Sequence, residues 1–426
     1  MLIESLSKAK VFNINSTDLS SLLKVKKGDF MRDVAIIGMG HTKFGKHKDK
    51  NVVELFGEAA IEAMDEAGVD KKDIEALFAG FYFPAGDGIM NIAPSLATEI
   101  GLENVPSSRF EGACASATVA FRDAYIWVAS GMYDMVIVGG AERALIKGTE
   151  FSTRTFNMST DRYESDAGLT FPGVFAMSTI LYSRMYDLPL DKLRENMAYI
   201  SMQNHKHGAL NPHAQFYGKM GNLTLDKVLE SAVVCYPLTL LDCCPFTDGG
   251  AAAIICSADI ARKYTDEPIY ILGTGQASGG ALGRQEDFTK PVPRVKSARM
   301  AFKQAGLSPN DIQYAEVHDC FTIAQIILME AIGFYEWGEG YKACKEGDFE
   351  IGGKIPTNMS GGLLGKGHPL GATGISQIYG VVEQMKGKAP KGNQIDPLPE
   401  IGMTDNLGGD FGTLAHIILG RSRRSK

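Results

Sequence analysis

The chain has 426 residues, 45% of them hydrophobic and 22% charged, with a formal net charge of −7. That composition fits a soluble globular protein of two or three domains or one large two-lobed unit, and it offers no basic field for nucleic acid. No apolar run reaches the roughly 18 residues that span a bilayer. The seven cysteines form an odd, sparse set without a C-x-x-C pair, which points to reduced thiols in a cytoplasm.

Residues 1–30 are polar and rich in Ser and Lys, and read as an extension with neither a secretory signal nor a mitochondrial presequence. Asp33 to Met39 is a short β-branched run ended by glycine, expected as a buried strand. Gly38, Gly40 and Gly45 lack dinucleotide-binding spacing. Val52 to Gly68 has apolar residues at three- and four-residue intervals and predicts a helix capped by Gly68. Ile74 to Phe83 predicts a strand. Cys114 then stands among small residues before a helical run, Thr118 to Ser130, and Met135 to Val138 predicts the next strand. A cysteine at a helix start suits a nucleophile, because unpaired amides stabilise the thiolate. A buried core cysteine is the competing reading.

Residues of about 145–235 break this rhythm and read as an insertion over a core, with helical patches at Ala176–Tyr186 and Asp191–His205. Val234 to Leu241 and Gly249 to Cys256 return to strand-like composition. His205, His207 and His213 lie in the insertion; without a carboxylate pair they read as a solvated or ligand-facing surface rather than a metal site.

A second unit begins near Pro268. Ile269 to Gly275 echoes the first strand, Ser297 to Gly306 predicts a helix, and Ile312 to Val317 a strand. Glu66-Ala67-Gly68-Val69 with Asp73-Ile74 matches Gln304-Ala305-Gly306-Leu307 with Asp311-Ile312 at a constant offset of 238, from Ala67 to Ala305 and from Asp73 to Asp311. Such a repeat implies two similar halves. The expected boundaries are 1–30, 31–265, 266–421 and a basic tail at 422–426. Strand ends are where active groups of open α/β sheets collect. His318-Asp319-Cys320-Phe321 leaves one such end. Gly367-His368-Pro369-Leu370-Gly371-Ala372-Thr373-Gly374 is a glycine-dense loop opening into a helix, Ile375–Met385. Asn406-Leu407-Gly408-Gly409 precedes the last strand, Thr413–Leu419, and offers glycine amides to a ligand.

With the Cys114 loop and Asp248-Gly249-Gly250-Ala251-Ala252, these motifs resemble the thiolases, specifically their sterol-carrier-protein-type and archaeal-type branch, from about Asp33 to Gly420. The resemblance implies an α/β protein with a duplicated five-layer αβαβα fold and an inserted loop domain. It implies Cys114 as acyl-carrying nucleophile, His368 as its activator, and His318 with His368 around the thioester oxygen. Cys320 is implied as acid/base, since Asn406 stands where many thiolases carry a second cysteine. Amides of Cys114 and Gly408 are implied as a second oxyanion hole, and Cys244 and Phe246 as coenzyme A contacts. No permanently bound cofactor or metal is implied, with coenzyme A as substrate. Asp319 receives no catalytic role. The expected activity is cleavage or condensation of 3-oxoacyl-CoA of the acetoacetyl-CoA type. Alternatives are a thiolase or retro-aldolase of larger or aromatic acyl-CoA, and a non-catalytic acyl-CoA-binding scaffold. Expected partners are a second copy, as a dimer or tetramer, and a small protein with a zinc ribbon and an OB-fold.

Overall fold

Strands buried on both faces organise the architecture. A computed structural model of the chain describes residues 31–287 and 289–423, with only the backbone described at 85 and 86. The extension expected at 1–30 and the last three residues of the basic tail lie outside the described residues. In the first half the strands are β1 (Val34–His41), β2 (Ala76–Gly80), β3 (Ser107–Phe110), β4 (Met135–Arg143) and β5 (Asp248–Ser257). In the second half they are β6 (Ile269–Ser278), β7 (Tyr314–Glu316), β8 (Ile401–Gly408) and β9 (Thr413–Gly420). They form one nine-stranded mixed sheet in the order β3-β2-β4-β5-β1-β6-β9-β8-β7.

That order is a mirror. In each half the second strand pairs parallel with its neighbour, and the pairs further in are antiparallel (β2-β4-β5-β1 against β7-β8-β9-β6). The halves meet at β1 and β6 through a short seam, Ala35 opposite Tyr270 and Ile36 opposite Ile269. The 238-residue repeat lies within this symmetry. Helix α1 (Val52–Ala67) ends at Gly68 and helix α5 (Val292–Ala305) at Gly306, both left-handed, with φ of 61° and 71°. Glu66 Oε2 accepts the Met39 N–H at 2.7 Å, and Gln304 Oε1 accepts the Thr274 N–H at 2.9 Å. The glycines of the first strand of each half serve packing. A Cβ on Gly40 would lie 1.9 Å from Ala59 O, and one on Gly275 1.9 Å from Ser297 O.

Strand residues take turns facing two cores. Val34 and Ile36 join a middle core with Ala120, Phe121 and Ala124 of α2 (Ser116–Ala129) and Ile378, Val381 and Val382 of α7 (Thr373–Met385). Ile269, Ile271 and Leu419 of the second half enter the same core. Ala35 and Ile37 face the outer core with α1, while Leu414 and Ile418 face α5 and α6 (Thr322–Ile332). With the two halves of the one sheet on either side of α2 and α7, the layers run helix, half-sheet, helix, half-sheet, helix.

The insertion differs from expectation in detail. Its two long helices are α3 (Phe171–Met185) and α4 (Leu190–Leu210), each longer than the sequence pattern predicted, and shorter ones span Thr149–Phe156, Arg162–Asp166 and Leu225–Leu229. Pro172, in the first turn of α3, needs no N–H partner there, so the helix starts earlier. The segment expected as a strand at Val234–Leu241 is a small separate ribbon, Val233–Cys235 with Leu238–Thr239, outside the main sheet. His205 and His207 do not lie on a solvated surface. Both are 2% exposed on α4, where His205 Nδ1 meets Ser201 O at 2.8 Å and His207 Nδ1 meets Asn358 O at 3.1 Å. His213 is half-buried against Tyr379. No helix among the described residues is long and apolar enough to cross a membrane.

Candidate active site

Cys114 sits in a single tight turn, Ala113–Ala115, directly before α2. The turn is held from both sides. Glu111 Oε1 accepts the Ala113 N–H at 2.6 Å, and Ser116 Oγ accepts the Gly112 N–H at 3.0 Å while donating to Ala113 O at 2.6 Å. Ala113 carries a φ of 50°, a left-handed conformation costly for any residue with a Cβ. Such strain persists only where its surroundings enforce it. One enforcing contact is Gly408 at the end of β8, where a Cβ would lie 1.9 Å from Gly112 O. The amides of Gly409, next to Gly408, and of Cys114 itself act on the Cys114 sulfur.

Three segments distant in sequence meet at this thiol. The ligand-capable atoms of Cys114, His318 and His368 all lie within 4.8 Å of one another. The two imidazoles are nearly perpendicular, at 87°, with centroids 5.1 Å apart. His368 is fixed twice: its N–H donates to Thr247 Oγ1 at 2.9 Å and its Nδ1 meets Thr373 Oγ1 at 2.7 Å. The Thr373 hydroxyl gives its one proton to Pro369 O at 2.9 Å. It must therefore accept from His368 Nδ1–H, which leaves the Nε2 lone pair free. That nitrogen has no hydrogen-bond partner, and neither does His318 Nδ1. Burial pushes the Cys114 thiol up to about 12 and His368 down to about 3, so both rest neutral near pH 7. His318 is likewise held well below the usual imidazole range, by burial and by His368.

Cys320 is buried beside them. Its thiol is pushed up by burial and by Cys114, and its carbonyl accepts the Cys244 N–H at 2.9 Å. Phe246 pairs with the His368 backbone and stacks edge-on against Phe156 at 5.3 Å. All seven residues singled out in the sequence therefore belong to one neighbourhood. Asn406 is buried, with Nδ2 on Gln377 Oε1 at 2.7 Å.

Two residues that received no catalytic role hold the site together. Asp319 accepts the N–H groups of Leu363 and Leu364, at 2.6 and 3.2 Å, and Asn204 Nδ2 at 2.7 Å. It ties the His318 segment to the wide helical turn Gly362–Lys366 before His368 and to the inserted helix α4. Glu142, at the end of β4, accepts the amides of Tyr82 and Phe83 at 2.9 and 3.4 Å, and burial pushes its carboxyl up to about 7. The signal for Glu142 was an acidic residue closing the apolar strand with Gly139-Gly140-Ala141. Tyr82, Phe83, Phe156 and Leu370 pack around Cys114. The cavity behind Phe83 and Phe156 holds no more than about one water molecule.

The family profile described as thiolase, N-terminal domain matches residues 34–259, and the one described as thiolase C-terminal domain-like matches 275–421. An acetyl-CoA acetyltransferase of Methanothermobacter thermautotrophicus is 43% identical over 394 residues, covering 92% of this chain and 100% of the relative. The benzoylsuccinyl-CoA thiolase subunit BbsB of Thauera aromatica is 33% identical, covering 89% of this chain and 95% of its own. Among solved structures, the Ltp2-ChsH2(DUF35) aldolase superposes with a TM-score of 0.76 at 25% identity, covering 92% of this chain and 98% of that chain.

Proposed function

The chain belongs to the thiolase family, and from that premise we propose that it is an acyltransferase that makes or cleaves 3-oxoacyl-CoA through an acyl group carried on Cys114. The observation that carries this reading is the meeting of one thiol and two imidazoles, from three segments, within 4.8 Å. His368 Nε2 takes the Cys114 proton as the sulfur attacks the thioester carbonyl. The amides of Cys114 and the Gly408-Gly409 turn face the oxyanion. Cys320 gives its proton to the departing CoA sulfur and becomes a thiolate. It then removes a proton from the α-carbon of a second acyl-CoA, whose enolate oxygen faces His318 and the protonated His368. The carbanion attacks the acyl carbonyl, and the Cys114 sulfur leaves and recovers its proton from His368. Cleavage runs the same steps in reverse. Because both groups of the Cys114–His368 pair rest neutral, the proton moves during attack rather than before it.

The packed aromatic wall at Cys114 favours a small acyl group, and two acetyl-CoA giving acetoacetyl-CoA is the simplest pair. The similarity to a benzoylsuccinyl-CoA thiolase subunit and to an aldolase favours the second reading, a larger or aromatic acyl-CoA. We further propose a homodimer or tetramer working in the cytoplasm on acyl-CoA. A small zinc-ribbon and OB-fold partner completes this proposal, in keeping with the DUF35 component named in the structural neighbour. Incubation with acetyl-CoA followed by mass spectrometry tests the core of the reading. An acetyl adduct on Cys114, lost in Cys114→Ala together with turnover, is the expected result. No adduct on Cys114, or full turnover in Cys114→Ala, overturns it. Acylation rates against chain length separate the two substrate readings.

A further inference from the structure

Three buried side chains behind His318 and Cys320 take no part in the steps above. Arg294 near the start of α5, Asp405 on β8 and His416 on β9 are all 0% exposed. Arg294 Nε lies 3.1 Å and His416 Nε2 2.9 Å from the same oxygen, Asp405 Oδ1. The other oxygen, Oδ2, accepts the His318 N–H at 3.3 Å. His416 Nδ1 meets Ser297 Oγ at 2.8 Å, and that hydroxyl donates to Leu414 O at 3.1 Å, so the imidazole is oriented from its far side.

Removing a guanidinium and a carboxylate from water is costly, and a well-packed apolar trio of similar volume would serve packing as well or better. The guanidinium is also poorly used inside the cluster. It is close to Asp405, yet none of its N–H groups has an aligned hydrogen-bond partner. Its charge therefore acts on what lies around it. Against the pull of burial, it holds the Asp405 carboxyl down at about 2, and it acts on both His318 and Cys320. The other groups facing Cys320 are the thiols of Cys114 and Cys244 and the carboxyl of Asp319, all of which oppose a negative sulfur. The neutral rings of His318 and His368 stand on the same side of the site.

We propose that Arg294, Asp405 and His416 form a positioning device for the His318–Cys320 segment, in which Asp405 fixes the backbone and Arg294 supplies the positive charge against which Cys320 works as a thiolate. The proposal rests on the reading of Cys320 as acid/base. It assigns the cluster to the two proton transfers of Cys320, to the departing CoA sulfur and from the α-carbon, and not to the attack of Cys114.

The test separates those steps in Arg294→Gln, Arg294→Lys and the double variant Arg294→Gln/Asp405→Asn, which removes both buried charges together. Acylation of Cys114 is followed by quenching and mass spectrometry, condensation by product formation across neutral and alkaline pH, and folding by thermal unfolding. In Arg294→Gln, condensation should fall about a hundredfold and its rising pH limb should move up by about one unit or more, with acylation, where Cys320 only protonates the departing sulfur, falling less than about tenfold. Arg294→Lys should recover much of the rate and the original pH limb, and the double variant should fold and repeat the shifted limb. An unmoved pH limb in folded variants, or equal loss in both steps with no rescue by lysine, overturns the proposal. Full condensation in Cys320→Ala would instead remove the reading of Cys320 on which it rests.

Discussion

At the residue scale, both members of the proposed reactive pair, Cys114 and His368, rest neutral. A thiol pushed up to about 12 and an imidazole pushed down to about 3 share no proton until a substrate changes the field between them. The same burial leaves a signature in stability. Between the folded value of about 3 and the ordinary 6.5, the unfolded chain binds a proton at His368 that the folded chain refuses. His368 thus contributes a loss of stability as pH falls through that window. His368→Asn lacks this loss, so the variant should gain on the parent by about 2 kcal/mol between about pH 7 and about pH 5. Urea unfolding of both proteins at the two pH values measures this, and a constant difference would show that His368 is accessible to protons in the fold. Much at this scale was legible: a histidine before proline in a glycine loop is a poor core choice, whereas a cysteine among small residues before a helix fits a core as well as a nucleophile until the histidines are set beside it. The lone pair on Nε2 was not legible, because it follows from where the Thr373 hydroxyl sends its proton.

At the element scale, the candidate site is built on backbones that approach more closely than side chains permit. The turn bearing Cys114 holds Ala113 left-handed and presses Gly112 O against the Gly408 α-carbon. Gly408→Ala should therefore push the turn away from β8. Acylation should drop at least about a hundredfold while the fold survives with a loss of about 1–3 kcal/mol. Adduct formation and thermal unfolding check the two arms; normal acylation would mean that the turn tolerates the displacement. The glycine loop read from sequence as a nest of amides thus serves first as a contact surface for the Cys114 turn. Asp319 adds a second tie at this scale, joining the His318 segment, the loop before His368 and helix α4 through one carboxylate. The inserted histidines show the limit of composition. His205 and His207 among Lys206 and Asn211 read as solvated, but their helix is clamped on both faces by the glycine turn and the second half.

At the scale of the whole molecule, the middle core is shared. Helices α2 and α7 come from different halves, and each packs on strands of both. Neither half can bury that layer alone. Residues 31–265 and 266–421, produced separately, should remain unfolded or aggregate, and should yield a folded, acylating complex only when produced together. Circular dichroism and the acetyl adduct read the outcome; a cooperatively folding isolated half would show that the shared layer is dispensable.

By itself, the sequence determined the duplication, the strand–helix rhythm and the small set of nucleophiles and imidazoles at strand and loop ends. Those features are periodic or chemically distinctive within a few residues, so local physics suffices to expose them. The tertiary structure decided which of them meet and in what state. Proximity of Cys114, His318 and His368, the free Nε2, and the buried charge of Arg294 behind Cys320 all depend on segments that the mirror-related sheet brings together across hundreds of residues. Burial and electric fields are sums over such neighbours, and no local pattern encodes them.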